Sequence, residues 1–121
     1  TLRMDCTLVA ELDSLTQLKQ LVLLSAHTCR IKNLSPLEEL QNLKFLYLHR
    51  NKIQDMRALC QLDQLQEVIL DHNEISSLPP LKEFFPKNQN LMLSLIDNPL
   101  TIKQIELYQI QMKARNGMIS Y

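Results

Sequence analysis

Apolar and polar positions along the chain follow a period of 22 residues. One unit carries apolar residues and a single asparagine at fixed places: Leu43, Leu46, Leu48, Asn51, Ile53, Met56, Leu59 and Leu62. The same places one period later hold Leu65, Val68, Leu70, Asn73, Ile75, Leu78, Leu81 and Phe84. One period earlier they hold Leu21, Leu24, Ala26, Cys29, Ile31, Leu34, Leu37 and Leu40. A fixed period of this length predicts a solenoid of stacked repeats.

Within each unit, two different spacings predict two kinds of structure. Leu46 and Leu48 stand two residues apart, so both side chains point to one face of a short strand. Asn51 follows at the turn, where its amide can bond backbone groups that would otherwise be buried without partners. The apolar residues after it recur at every third position, a spacing typical of 3₁₀ turns. Each repeat is therefore predicted to contain one strand and one 3₁₀ segment.

The last unit departs from the period. Asn98 lies 25 residues after Asn73, so three residues have been inserted. We place the insertion within Lys82–Asn90, around Phe84-Phe85-Pro86, on the convex side or at a corner of the solenoid.

A helix is predicted after the last repeat. Thr101 and Gln104 have the spacing of a capping box, and Asn116-Gly117 is typical of a helix end. The apolar residues between them recur at helical spacing: Ile102, Ile105, Tyr108 and Met112. We therefore expect a helix over Thr101–Arg115 that closes the C-terminal end of the core. We predict two parts: stacked repeats over residues 1–100, in about four to five turns with the first one partial, and a capping helix and tail over residues 101–121.

The repeat pattern L-x-x-L-x-L-x-x-N/C-x-I/L is the leucine-rich-repeat signature. Over residues 2–100 the chain resembles the 22-residue class found in the nuclear regulatory subunit of type-1 protein phosphatase, the spliceosomal A-prime protein and the leucine-rich light chain of outer-arm dynein. Asn98-Pro99-Leu100-Thr101 also resembles the C-terminal cap of those intracellular families, although Glu106-Leu107 stand where they have a Tyr-Arg pair. Bacterial internalins share a 22-residue repeat, which leaves a secreted origin open. The resemblance implies an α/β fold: a right-handed leucine-rich-repeat solenoid with short parallel strands on the concave face, 3₁₀ segments on the convex face and a C-terminal capping helix.

Composition excludes several classes of function. The 121 residues include 13 basic and 13 acidic side chains, a balance that gives no electrostatic basis for direct nucleic-acid binding. Gly117 is the only glycine, which excludes the glycine-rich loops that bind phosphates and dinucleotides. No apolar run approaches the ~18 residues needed to cross a bilayer. We therefore expect no nucleic-acid or membrane partner, and no cofactor.

The cysteines and the start of the chain add two expectations. Cys6, Cys29 and Cys60 are too widely spaced for a disulfide framework or a zinc site, so we expect reduced thiols in an intracellular protein, cytoplasmic or nuclear. The sequence starts at Thr1 in the middle of a repeat, without the polar cover that terminal repeats carry. We expect the N-terminal edge to be continued by residues missing from this sequence or by a neighbouring chain.

An apolar patch is predicted on the concave face. Strands stack about 4.8 Å apart, so residues that project from equivalent places become neighbours. The apolar members of this set are Val22, Leu23, Phe45, Tyr47, Ile69, Leu91 and Met92. Exposed apolar patches usually mark an interface, and Phe and Tyr are typical anchors. We predict that these residues bind a partner protein; the alternative is that the chain itself covers them.

A polar column is predicted beside the patch, and it contains all three histidines. His27 and His49 stand one repeat apart, with His72, Arg50 and Asp71 alongside. We include His49, Arg50 and Asp71 in the predicted partner-binding site, where a histidine contact would respond to pH at around 6.5. Since no nucleophile or supporting shell can be named, we predict neither a catalytic residue nor a metal site.

These observations predict a non-catalytic protein–protein interaction module. It would bind a partner protein on its concave apolar surface, as a subunit or a fragment of a larger assembly. The resemblance leaves two alternatives, a regulatory subunit of a protein phosphatase and a ribonucleoprotein assembly factor. No enzymatic activity is predicted.

Overall fold

A single sheet of short parallel strands runs through the solenoid. The computed structural model describes residues 1–4, 10–80, 83, 90–114 and 117–121. In these residues the strands follow chain order across the sheet: β1 (Leu2–Arg3), β2 (Leu23–Ser25), β3 (Phe45–Tyr47), β4 (Glu67–Ile69), β5 (Met92–Ser94) and β6 (Met118–Ser120). Leu24 is in register with Leu46, and Leu46 with Val68. The 22-residue period is therefore the spacing from one strand to the next, and the predicted parallel sheet is confirmed.

Short 3₁₀ helices form another side of the repeats. Within the described ranges they are Asp13–Leu15, Ser35–Glu39 and Arg57–Gln61. Their hydrogen bonds span three residues, as between the Leu37 N–H and the Leu34 carbonyl, at 2.9 Å. Residues three apart eclipse in this geometry, which keeps Leu34, Leu37 and Leu40 together in the core. The predicted 3₁₀ segments are confirmed.

The hydrophobic core is built from equivalent side chains of successive repeats. The inward residue of each middle strand is almost fully buried, with at most 2% exposure at Leu24, Leu46, Val68 and Leu93. Full burial of one such side chain stabilises the fold by about 2 kcal/mol. A single repeat cannot bury its apolar face alone, so the repeats are stable only when stacked.

An asparagine ladder joins successive turns. The Asn51 amide nitrogen donates to the carbonyls of Ala26 and Leu48, both at 2.9 Å, and its oxygen accepts from the Ile31 N–H at 3.1 Å. Equivalent bonds recur one and two turns further on, at Asn73 and Asn98. The ladder satisfies backbone groups inside the solenoid and fixes how one turn lies on the next.

The predicted helix is present as α1 (Ile102–Lys113). Thr101 is its N-cap: the hydroxyl accepts from the Gln104 N–H at 3.2 Å, and the Gln104 side chain accepts from the Thr101 N–H at 2.8 Å. This is the capping box that the sequence predicts. The C-terminal helix is therefore confirmed.

Helix α1 packs on the last repeats through two side chains one turn apart. Tyr108 is 4% exposed and Met112 is 2% exposed. The Tyr108 hydroxyl donates to the Pro79 carbonyl at 3.0 Å. The helix thus closes one end of the core with an aromatic ring, a flexible apolar chain and a buried hydrogen bond.

Strand β6 was not anticipated from the sequence, which predicted only a tail after the helix. The Met118 N–H donates to the Leu91 carbonyl at 2.8 Å, and the Leu95 N–H donates to the Ser120 carbonyl at 2.7 Å. Gly117 permits this approach, because a Cβ there would lie 3.2 Å from the Leu91 carbonyl oxygen. Helix α1 and β6 therefore add a further turn to the solenoid.

Some predictions fall outside the described residues. Of the segment that we assign to the insertion, 82–90, the structure describes Glu83 and Asn90 but not Phe84-Phe85-Pro86. The structure also does not describe Cys6, or Arg115 and Asn116 at the end of the predicted helix.

Candidate functional site

Each three-residue strand presents two side chains on the face of the sheet that points away from the core, and the shorter β1 presents one, Arg3. This face is the concave side in a solenoid of this kind. The parallel register aligns the side chains in two columns. The Phe45 column contains Leu23, Phe45, Glu67, Met92 and Met118. The Tyr47 column contains Arg3, Ser25, Tyr47, Ile69, Ser94 and Ser120.

Most of the predicted apolar patch lies on this face. Val22 is 38% exposed and Met92 is 48% exposed. The remaining members are half-buried against their neighbours but do not belong to the hydrophobic core: Leu23, Phe45, Tyr47 and Ile69. The register therefore brings five of the seven predicted apolar residues to one surface, and Val22 is exposed immediately before β2.

Leu91 is the exception, and the prediction that it faces the concave surface is wrong. Its side chain is 1% exposed and lies in the core. In the third repeat a core leucine, Leu43, stands three residues before the inward Leu46, whereas Asn90 stands three residues before Leu93. Asn90 is exposed and adopts a φ of 67°, a left-handed conformation that asparagine tolerates. The chain turns at Asn90, and Leu91 occupies the core position that Leu43 occupies in the third repeat.

Glu67, one period after Phe45, divides the patch. The register places its half-buried side chain between Phe45 and Met92. The Tyr47 hydroxyl donates to Glu67 Oε2 at 3.1 Å. Burial is the main cause that raises the pKa of Tyr47, and the adjacent Glu67 carboxylate raises it further. The phenol therefore keeps its proton and remains a donor.

Met118 extends the patch beyond Met92. It is 61% exposed and comes from β6, the strand that the sequence did not predict. The sequence carries little signal for this strand, because Met118, Ile119 and Ser120 lie outside the repeat pattern and do not alternate between apolar and polar residues.

The predicted polar column lies beside the patch, and its first two histidines stack. The rings of His27 and His49 are 4.7 Å apart between centroids and 13° from parallel. Burial, followed by repulsion from a charged His27, lowers the pKa of His49. Arg50 and His72 lower it further, and Asp71 opposes them. His49 therefore stays neutral at neutral pH and can both donate and accept a hydrogen bond.

The carboxylates of the polar column are held by neighbouring groups. Asp71 Oδ1 accepts from the Ser94 hydroxyl at 2.6 Å and from the Ile96 N–H at 2.9 Å. His72 Nδ1 lies 3.1 Å from Asp97 Oδ2. These contacts fix the orientation of the column without enclosing it, since His72 and Asp97 remain exposed.

In the described part of the chain, no group of three or more His, Cys, Asp or Glu residues is arranged to hold a metal ion. None of the helices in that part is long and apolar enough to span a membrane.

The repeat and the fold both occur in known proteins. Residues 41–83 match the family model for leucine-rich repeats in two copies. No curated protein sequence matches the chain. Internalin C2 of Listeria monocytogenes has a similar structure, with a TM-score of 0.72 and 26% identity over 92% of this chain and 46% of that chain.

Two other solved structures extend this likeness. A leucine-rich-repeat protein of Leptospira interrogans matches with a TM-score of 0.77 and 26% identity, over 92% of this chain and 28% of that chain. A second Listeria monocytogenes internalin, at 22% identity and a TM-score of 0.70, covers 93% of this chain and 34% of that chain, and shows the shared fold alone. This chain thus spans less than half the length of each of the three structures.

These matches support the coarse assignment made from the sequence. Leucine-rich-repeat proteins generally act as protein–protein interaction modules on extended concave surfaces. The finer resemblance, to the phosphatase subunit, the spliceosomal protein and the dynein light chain, stays a prediction. The fold is therefore that of a leucine-rich-repeat solenoid, and two of the repeats, within residues 41–83, match the family model directly.

Proposed function

We propose that this chain is a non-catalytic module that binds a partner protein on its concave face, as part of a larger assembly. The observation that carries the proposal is the row of partly exposed apolar side chains outside the core, on neighbouring strands: Leu23, Phe45, Tyr47, Ile69 and Met92. Covering apolar surface is favourable by about 25 cal/mol per Å². Aromatic residues at the centre of such a surface often carry much of the binding energy.

The polar column would form the rim of the same interface. His49 and Asp71 are half-buried and Arg50 is exposed beside the apolar row. Interfaces commonly surround an apolar centre with polar groups that fix orientation. We therefore propose that these three residues orient the partner, whereas the apolar row supplies the affinity.

The test is a quantitative pull-down that compares the wild type with the double variant Phe45→Asp, Tyr47→Lys. Neither side chain belongs to the hydrophobic core, so the variant should keep the circular dichroism spectrum of the wild type. We expect it to lose the partner that the wild type recovers, because charges would be buried without partners at the interface.

A matched control is Ile102→Asp, which places the same kind of charge on helix α1, where Ile102 is 75% exposed. This control should recover the partner at the wild-type level. Equal recovery by the folded double variant would contradict the proposed concave interface.

A further inference from the structure

A carboxylate lies within the apolar surface and is only partly engaged by the protein itself. Glu67 is half-buried and accepts one hydrogen bond, from the Tyr47 hydroxyl. In the described part of the chain, no Lys or Arg lies within ion-pair distance of it. A carboxylate has about four acceptor positions. Glu67 therefore keeps acceptor capacity on the concave face.

The space beside Glu67 is a small open pocket between β4, β5 and β6. Its lining residues with side chains on the concave face are Glu67, Ile69, Met92, Ser94, Met118 and Ser120, and we call it the Glu67 pocket. Met92 and Met118 are 48% and 61% exposed. Methionine side chains are flexible and polarisable, so these walls can adapt to an inserted chain.

The pocket also has hydroxyl oxygens near the carboxylate. The Ser94 hydroxyl donates its proton to Asp71 Oδ1 at 2.6 Å. Its oxygen can therefore act only as an acceptor toward a ligand. Asp71 is itself a carboxylate, so its charge adds to the negative potential at this end of the surface.

This combination selects among the side chains that a partner could insert. A purely apolar side chain would cover the Glu67 carboxylate and remove its remaining water, which is costly for a charged group. An acidic side chain would be repelled. Lysine and arginine have a long apolar stem and a cationic end, which match the methionine walls and the carboxylate respectively.

We propose that the Glu67 pocket binds a lysine or arginine side chain of the partner protein. The stem would pack against Met92 and Met118, and the cationic end would donate hydrogen bonds to Glu67. The proposal rests on the proposed concave interface and adds the chemistry that this part of it recognises. It makes Glu67 a specificity-determining residue among the apolar side chains of the concave face.

The probe is a displayed library of random 12-residue peptides, selected on the wild-type protein. Selected peptides should contain a Lys or Arg flanked by apolar residues. Their dissociation constants are then measured by fluorescence anisotropy. We expect Glu67→Gln to weaken binding at least about tenfold, because it removes a charge-assisted hydrogen bond, and selection on Glu67→Lys should enrich Asp or Glu instead.

Glu74→Gln is the matched control. Glu74 is a carboxylate outside the concave face, paired with Lys52 at 3.3 Å, and its replacement should leave peptide binding unchanged. Peptides that lack a basic residue, or that bind Glu67→Gln as tightly as the wild type, would overturn the Glu67 pocket.

The double variant Phe45→Asp, Tyr47→Lys separates the two proposals. Peptides that lose affinity for this variant but not for Glu67→Gln would support the concave interface and overturn only the pocket. Peptides that bind the double variant as tightly as the wild type would overturn both. A selection that yields no binder would also count against both.

Discussion

At the scale of single residues, Asn51 joins three segments of backbone inside the solenoid. It donates to the carbonyls of Ala26 and Leu48 and accepts from the Ile31 N–H. The Leu48 carbonyl also accepts from Asn73, at 3.0 Å, so it would keep a partner if Asn51 were lost. The Ala26 carbonyl and the Ile31 N–H would lose their Asn51 bonds.

We therefore expect Asn51→Ala to lower the free energy of unfolding by about 3 kcal/mol, since each buried group left unsatisfied costs about 1–3 kcal/mol. Urea unfolding followed by circular dichroism measures the change. Asn33→Ala is the control, because Asn33 is exposed and accepts one hydrogen bond, from the Ser35 N–H at 3.0 Å. The interpretation of the ladder would be wrong if both variants lost the same stability.

A second residue-scale prediction concerns the stacked histidines. Burial and His27 lower the pKa of His49 in the folded state below its ordinary value of 6.5. The unfolded chain therefore binds a proton at His49 more readily than the folded chain. The stability that depends on a neutral His49 is therefore fully present above pH 6.5 and is lost as the pH falls below that value.

NMR titration of the His49 ring protons should show a midpoint below 6.5. In His27→Gln the midpoint should rise, because repulsion from the neighbouring imidazolium is removed. A wild-type midpoint at or above 6.5 would contradict the interpretation of the stack. The polar column would then not respond to pH as its geometry indicates.

At the scale of elements, local periodicity was enough to predict most of the fold. The two-residue step from Leu46 to Leu48 and the 22-residue period together give each strand and its register. The three-residue spacing after Asn51 gives the 3₁₀ segments, and the pair Thr101 and Gln104 gives the start of α1. Each of these signals depends on side chains a few residues apart, or on one repeated distance.

The elements that could not be predicted depend on the backbone and on distant pairing. Strand β6 exists because Met118 and Ser120 find partners on β5 and its flanks, and because Gly117 permits the approach. The inward turn of Leu91 depends on the left-handed backbone at Asn90. The position of Glu67 could be counted from the period, but its hydrogen bond from Tyr47 depends on side-chain geometry across two strands.

At the scale of the whole molecule, the last turn is coupled to the repeats before it. Each repeat contacts only its neighbours, so stability passes along the solenoid from one interface to the next. Helix α1 covers the core at this end with Tyr108 and Met112. Strand β6 completes the hydrogen bonds of β5 on its outer side. Loss of this turn would expose the core and an unpaired strand edge together.

This coupling predicts that Tyr108→Ala destabilises the distant repeats as well as its own turn. Removal of a buried aromatic side chain costs about 3–5 kcal/mol. The control is Leu107→Ala, at a position 58% exposed, which should cost less than about 0.5 kcal/mol. The measurement is hydrogen exchange at the Leu48 amide, which donates to the Ile69 carbonyl at 2.9 Å in the middle of the sheet. If the solenoid opens as one unit, a loss of about 3 kcal/mol lowers the protection of this amide by about two orders of magnitude. Unchanged protection at Leu48, with a loss of helical signal alone, would mean that α1 and β6 open independently and that the repeats are stable without them.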